Sequence, residues 1–185
     1  QIESNLDDVA MMLISGVNYY TGQFYDLKSI SDLAKKYNCM IGLDLAHAAG
    51  NVQLELHNWD IDFAAWCGYK YLNGGPGAPS GVFVNEKYHS SNLNRLEGWW
   101  GHDKETRFNP PNLFNPIKGA EAWQLSNPPI LSMAALRSSI ELFDNIGMDT
   151  LRKRSRLLTS YMENMIYSIN NSNIDIITPS NSDDR

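Results

Sequence analysis

Two residues set the chemistry this chain could attempt, a lysine and an aspartate, each beside an apolar run. Lys70 follows Asp62-Phe63-Ala64-Ala65-Trp66-Cys67 and precedes a stretch from Asn73 to Gly81 that holds four glycines and two prolines. The apolar run has the pattern of a strand covered on both faces. The glycine-rich stretch must turn sharply, and its backbone can approach a ligand closely. A lysine at that junction, flanked by Tyr69 and Tyr71, is partly withdrawn from water, which brings a neutral, nucleophilic amine within reach of Schiff-base chemistry. The plainer reading is a lysine whose stem lies along apolar surface while its head caps the turn in water.

Asp44 stands in Gly42-Leu43-Asp44-Leu45-Ala46-His47, near the end of a second apolar run. Ligands of open α/β sheets collect outside the carboxyl ends of the strands, where an aspartate can meet them; the plainer reading is a carboxylate that caps the next turn. The pair matters more than either residue. A pyridoxal phosphate enzyme needs a lysine to hold the cofactor covalently and a carboxylate to keep the pyridine nitrogen protonated, so that the ring withdraws electrons. Other ligand chemistries fit less well. The segment from Gly74 to Gly81 lacks the G-x-x-x-x-G-K-[ST] pattern, and Ser80 stands where a G-x-G-x-x-G register would need its last glycine. His47 and Asp44 have no third ligand at a recognisable spacing, so no metal site is assigned. Ser15 has no nucleophile elbow around it and is better suited to donate to a ligand phosphate. Trp99 and Trp100, between Gly98 and Gly101, read as interface or ligand residues rather than core.

The elements that must position these residues read as an α/β fold, a central and mostly parallel sheet flanked by helices. Val9 to Ser15, Cys39 to Leu45 and Asp62 to Cys67 are strand-like, with Gly81 to Val84 a further short strand. Leu27 to Asn38 carries apolar residues at helical spacing, with Lys35 and Lys36 near the end where the helix dipole favours them. From Asn85 to Asn127 periodicity is weak, which predicts long functional loops. Pro128-Pro129 opens a helix that Gly147 ends, and Thr150 to Ile169 is a second amphipathic pattern. Arg152 to Arg156 reads as a solvated basic face, and Ile174 to Thr178 as the first strand of a smaller α+β domain. The expected division is 1–145 for the large domain and 146–185 for a connecting helix and the start of a second one. With 185 residues, 43% of them apolar, the chain can build a sizeable core, and its net charge of -6 argues against binding a phosphate backbone. Cys39 and Cys67 both adjoin strand-like runs and read as two buried, reduced thiols of an intracellular protein. No run is long enough to span a bilayer. The chain opens on Gln1 and closes on a polar stretch, so it is expected to lie within a longer protein.

Five segments in order resemble kynureninases: Ser15-Gly16-Val17-Asn18-Tyr19-Tyr20-Thr21-Gly22-Gln23, Asp44-Leu45-Ala46-His47-Ala48-Ala49-Gly50-Asn51, Tyr69-Lys70-Tyr71-Leu72-Asn73, Gly98-Trp99-Trp100-Gly101-His102 and Ser126-Asn127-Pro128-Pro129. The resemblance implies the large domain of a fold type I pyridoxal phosphate enzyme, a cytoplasmic homodimer that hydrolyses L-kynurenine or 3-hydroxy-L-kynurenine to an anthranilate and L-alanine in tryptophan catabolism and NAD biosynthesis. It makes Lys70 the Schiff-base lysine and Asp44 the partner of the pyridinium nitrogen, sets His47 beside the cofactor, and directs Ser15 and Tyr69 toward its phosphate. Tyr69 is also the candidate proton donor. Trp99 and Asn127 match positions that complete the site from the neighbouring subunit, and Trp100 replaces an expected phenylalanine. The phosphate-binding turn, the ring-stacking aromatic and the arginine for the substrate carboxylate are implied to lie outside these residues, so the piece alone is expected to be inactive. Two other readings stand beside this one: a related fold type I enzyme, such as a cysteine desulfurase or aminotransferase, and a non-catalytic α/β interaction domain with a structural lysine.

Overall fold

The computed structural model describes residues 3–110, 113–169 and 173–185. Its centre is one sheet in the order β1-β2-β3-β4, made of β1 (Met11–Ser15), β2 (Met40–Asp44), β3 (Phe63–Trp66) and β4 (Gly81–Val84). The first three strands run parallel, with Ser15 opposite Asp44 and Asp44 opposite Ala65, while β4 returns antiparallel to β3. Three parallel strands therefore end at one edge of the sheet.

Between β1 and β2 runs α1 (Leu27–Lys36). Asp26 starts it, accepting from the Ser29 backbone N–H at 3.0 Å and the Ser29 hydroxyl at 2.6 Å. Leu27, Ser31 and Ala34, spaced along one helical stripe, are its buried residues. Ser31 is tolerated there because its hydroxyl donates to the Trp59 carbonyl at 2.7 Å. The core lies between this stripe, the 45–61 segment and one face of the sheet, where Ile41, Leu43 and Ala64 are buried and Met12 and Ile14 pack alongside. Residues on the other face alternate with these. Met11, Leu13 and Val82 on that face are largely exposed, so β1 departs from the expected strand buried on both sides. Leu93 and Trp123 enclose a cavity of about 230 Å³ over Met40, Phe63 and Ala65 on the same face.

Among the described residues from Asn85 to Asn127 the helical structure is confined to two short 3-10 turns, Glu86–Tyr88 and Ala120–Trp123, as the weak periodicity predicts. Helices α2 (Ile130–Ile146) and α3 (Met148–Ser168) follow, broken at Gly147, whose φ of 80° is a backbone conformation that favours glycine. Three expectations are corrected here. Ile174 to Thr178 forms no strand; the tail is instead drawn back over α3 and the 18–24 loop, with the Phe24 N–H donating to the Asp184 carbonyl at 2.8 Å. Arg152 is buried rather than solvated, 8% exposed, and donates to the Ser182 and Arg185 carbonyls, while Arg156 pairs with Asp183 at 2.6 Å. Arginine forks, not a sheet edge, hold this tail. Cys39 is buried, but Cys67 is only partly so; both are free thiols. No helix among the described residues is long and apolar enough to cross a membrane.

Candidate active site

The parallel register brings Ser15 and Asp44 side by side at the edge where β1 and β2 end. Past those ends the chain stays bonded: the Gly16 N–H donates to the Asp44 carbonyl and the Leu45 N–H to the Ala65 carbonyl, at 2.9 and 2.8 Å. The Asp44 carboxylate accepts from the Ala46 N–H at 2.9 Å, so the capping role open to it in the sequence is real. That bond leaves acceptor capacity on the carboxylate for a ligand.

Lys70 lies beyond the end of β3, in a turn rather than at the strand end. The turn is closed by the Gly74 N–H to the Gly68 carbonyl at 2.9 Å and by the Asn73 N–H to the Lys70 carbonyl at 3.1 Å. Close packing explains its glycines: a Cβ on Gly68 would stand 2.4 Å from the Pro79 carbonyl oxygen, and one on Gly74 would stand 2.8 Å from Ala78 Cβ. The glycine-rich stretch is thus the support of the Lys70 turn, not a phosphate loop of its own.

Lys70 Nζ is 2.9 Å from His47 Nε2. An ammonium can only donate, so in this contact a charged Lys70 has His47 Nε2 as its acceptor. The ring is held from both sides. Tyr71 meets it edge-on at 6.1 Å, and Tyr19 lies tilted at 6.5 Å. Tyr19 is presented by a small loop closed by the Val17–Phe24 bridge, in which the Asn18 side-chain oxygen accepts from the Tyr20 and Thr21 N–H groups at 2.9 and 3.0 Å.

Ser15, Val17, Tyr19, Asp44, Ala46, His47 and Lys70 line one crevice of about 140 Å³. His47 and Lys70 also line a wider cavity of about 890 Å³, whose other walls include Asn51, Tyr71, Asn73 and the Leu142, Phe143 and Ile146 side of α2. An amine, a carboxylate, an imidazole and a hydroxyl converge on one crevice, and the amine and carboxylate are the two groups that pyridoxal phosphate chemistry uses. Ser15, Asp44, His47 and Lys70 are therefore brought together. Tyr69 is 55% exposed and lines neither cavity. Trp99 and Asn127 also lie outside both. Trp99 belongs to a loop pinned by the Asp103 N–H to the Asn115 carbonyl at 2.7 Å and the Ile117 N–H to the Gly101 carbonyl at 2.9 Å, and Asn127 accepts from the Ser126 hydroxyl at 3.2 Å. Sequence reasoning missed Tyr19 and Tyr71 as the supports of His47; their signal was their place within the Ser15 and Lys70 motifs.

The resolved shifts in acidity lie away from this crevice. A hydrogen bond from Lys35 holds the Asp60 carboxyl below the usual range at the opposite end of the sheet, and one from the Thr106 hydroxyl does the same for Asp103.

A family model described as aminotransferase class-V matches residues 1–184. Kynureninases are similar over the whole chain: that of Flavobacterium psychrophilum is 49% identical and that of Flavobacterium johnsoniae 50% identical, each aligned over 100% of this chain and 44% of its own length. The kynureninase of Koribacter versatilis is 51% identical over 96% of this chain and 42% of its own. The chain thus spans less than half the length of these relatives. Among solved structures, a cysteine desulfurase from Thermococcus onnurineus NA1 covers 99% of this chain and 44% of its own, with a TM-score of 0.71 at 15% identity. An alanine–glyoxylate aminotransferase from Nostoc sp. covers 87% and 42%, with a TM-score of 0.62 at 19% identity. Likeness at that identity speaks for the fold, and the expected α/β large domain with a mixed, mostly parallel sheet is borne out.

Proposed function

The chain belongs to the class-V aminotransferase family, and from that premise we propose that its full polypeptide is a pyridoxal phosphate-dependent hydrolase of L-kynurenine or 3-hydroxy-L-kynurenine. The products are anthranilate or 3-hydroxyanthranilate and L-alanine. The observation that carries the reaction class is the shared crevice of Asp44, His47 and Lys70, with Lys70 held at 2.9 Å from His47. Identity of about 50% to kynureninases, against 15–19% to the desulfurase and aminotransferase structures, favours kynurenine over the related substrates.

Bound pyridoxal phosphate supplies an aldehyde carbon for an amine and a protonated ring that withdraws electrons from the carbons attached to that amine. Lys70 would anchor it through its amine and, once freed, would take the proton from the substrate Cα and return one there as alanine forms. Asp44 would accept the ring N–H and keep that proton in place. His47 lies 2.9 Å from Lys70 Nζ in the same crevice. Ser15 would donate to the phosphate. Water adds to the substrate γ-carbonyl, the Cβ–Cγ bond breaks, the acyl carbon leaves as the aryl carboxylate, and Cβ gains a proton to become the methyl group of alanine. Tyr69, adjacent to Lys70 and half-exposed, is assigned to deliver that proton.

Trp99 and Asn127 are assigned to the site of a second copy, in a homodimer with shared sites; their exposure, and that neither lines this chain's own crevice, support that reading. The division into a large domain, 1–145, and a connecting segment, 146–185, is supported by the helix break at Gly147. The free thiols of Cys39 and Cys67 support a cytoplasmic location.

The test is to load the full polypeptide with pyridoxal phosphate, reduce it with borohydride and map the labelled peptide, then assay anthranilate by its fluorescence. Label on Lys70 with anthranilate formed supports the proposal. Label without anthranilate transfers it to a related family enzyme, and an unlabelled Lys70 removes both enzyme readings.

A further inference from the structure

We propose that Arg107 is a positioning residue, the clamp that holds Trp99 and Trp100 as a preformed aromatic wall for the aryl ring of the substrate bound by a second copy; this rests on the kynurenine and homodimer readings given above. The two indoles meet edge to face, with centroids 5.3 Å apart and planes at 83°. The Arg107 guanidinium lies 5.4 Å from the Trp99 centroid and 4.8 Å from that of Trp100. A single planar cation thus touches both rings, and each such contact is attractive through the negative ring face. The same guanidinium is tied to the loop backbone on both sides of Gly101: its Nη2 donates to the Trp100 carbonyl at 3.2 Å and to the His102 carbonyl at 3.0 Å. Rings and backbone are therefore held by one side chain.

Burial does not provide this order. Trp99 is 46% exposed, and Phe108, tilted against it at 5.7 Å, is 78% exposed. A loop built only for stability would turn these rings inward; here they are braced outward, the arrangement of a surface that awaits an aromatic or apolar partner. The far end of the loop is fixed independently. His102 Nδ1 accepts from the Asn115 N–H at 3.3 Å, and its Nε2 faces the Thr106 hydroxyl at 3.1 Å, which donates to Asp103 at 3.0 Å. Lysine cannot take over the role of Arg107, because a compact ammonium has no plane to lie over two rings.

The experiment compares Arg107→Lys and Arg107→Leu with the parent in the full polypeptide loaded with cofactor. Near-UV circular dichroism reads the coupled indoles directly, and steady-state kinetics separates KM from kcat. Both variants are expected to lose the fine structure of the indole bands. The expected kinetic change is a rise in KM for kynurenine of about tenfold with kcat within about twofold, the mark of lost binding shared by ground and transition states. Lysine failing alongside leucine identifies shape rather than charge as the requirement, and it keeps the test open should the leucine variant not fold. Parent-like dichroism and KM in the lysine variant overturn the proposal. A parent enzyme that does not turn over kynurenine overturns the functional reading instead, and the dichroism then decides whether the clamp exists.

Discussion

Gly42 offers a sharp test of how the sheet sets the site. It faces Phe63 across the β2–β3 register, and a methyl group at Gly42 would stand 2.2, 2.5 and 2.8 Å from Cζ, Cε2 and Cε1 of the Phe63 ring. Carbon atoms in contact sit about 3.5–4.0 Å apart, so Gly42→Ala drives the ring away by roughly 1.5 Å. The direction open to it is the apolar cavity of about 230 Å³ that Phe63 lines. Overpacking of this kind costs about 1–3 kcal/mol. With a urea dependence of about 2 kcal/mol per molar, the unfolding midpoint of the full polypeptide falls by about 0.5–1.5 M. Phe63→Leu removes the obstructing ring, so the double variant recovers part of the loss, with a coupling of about 1 kcal/mol between the two sites. Asp44 lies two residues further along the same face of β2, so Gly42→Ala also weakens cofactor retention, read as the dissociation constant for pyridoxal phosphate. An unchanged midpoint in Gly42→Ala, or strictly additive effects in the double variant, would show that ring and glycine are not interlocked.

Replacing Asp44 by Asn removes the charge that holds the pyridine proton while keeping a side-chain acceptor for the Ala46 N–H; turnover of kynurenine falls about a hundredfold or more, and parent-like turnover rules Asp44 out as the ring partner. Tyr69→Phe keeps borohydride labelling at Lys70 but lowers kcat by about tenfold or more, whereas an unaltered kcat removes Tyr69 from proton delivery. Asp60 is held below its ordinary acidity by Lys35, so its contribution to stability is complete above the unfolded value of about 3.9 and is lost as pH falls through the lower folded value. The stability gap between the parent and Asp60→Asn is therefore constant from about pH 5 to 7 and closes below about pH 4; urea midpoints across that range that keep a fixed gap contradict the assignment. Residues 1–185 expressed alone form no anthranilate from kynurenine, and measurable hydrolysis by that piece refutes the view that the site needs residues from elsewhere.

Much of the framework was written in local pattern. The apolar runs at Met11–Ser15, Met40–Asp44, Phe63–Trp66 and Gly81–Val84 announced their strands, and α1 carried its own apolar stripe, because these signals depend on neighbours a few residues away. Asp44 and Lys70 were legible as a chemical pair for the same reason: each is marked by the strand pattern beside it. The tail was not legible. Ile174 to Thr178 has a strand's composition but pairs with neither edge of the sheet, and Arg152 reads as surface until the tail carbonyls fold back onto it. Whether an apolar segment pairs as a strand depends on a partner that local composition does not specify.

The amino-acid order alone marked an aspartate and a lysine, each following an apolar strand-like run, as a pair whose residue types suit a covalently held, electron-withdrawing cofactor. Only the tertiary structure decided what stands against them. His47 reaches Lys70 at 2.9 Å because parallel pairing sets the ends of β1, β2 and β3 at one edge, and two tyrosines from different loops brace its ring. Likewise the sequence marked Trp99 and Trp100 as a pair with a task, but the cation that binds them came from a turn folding back on itself. Contacts of that kind join residues through space, and their energy depends on distances that no spacing along the chain encodes.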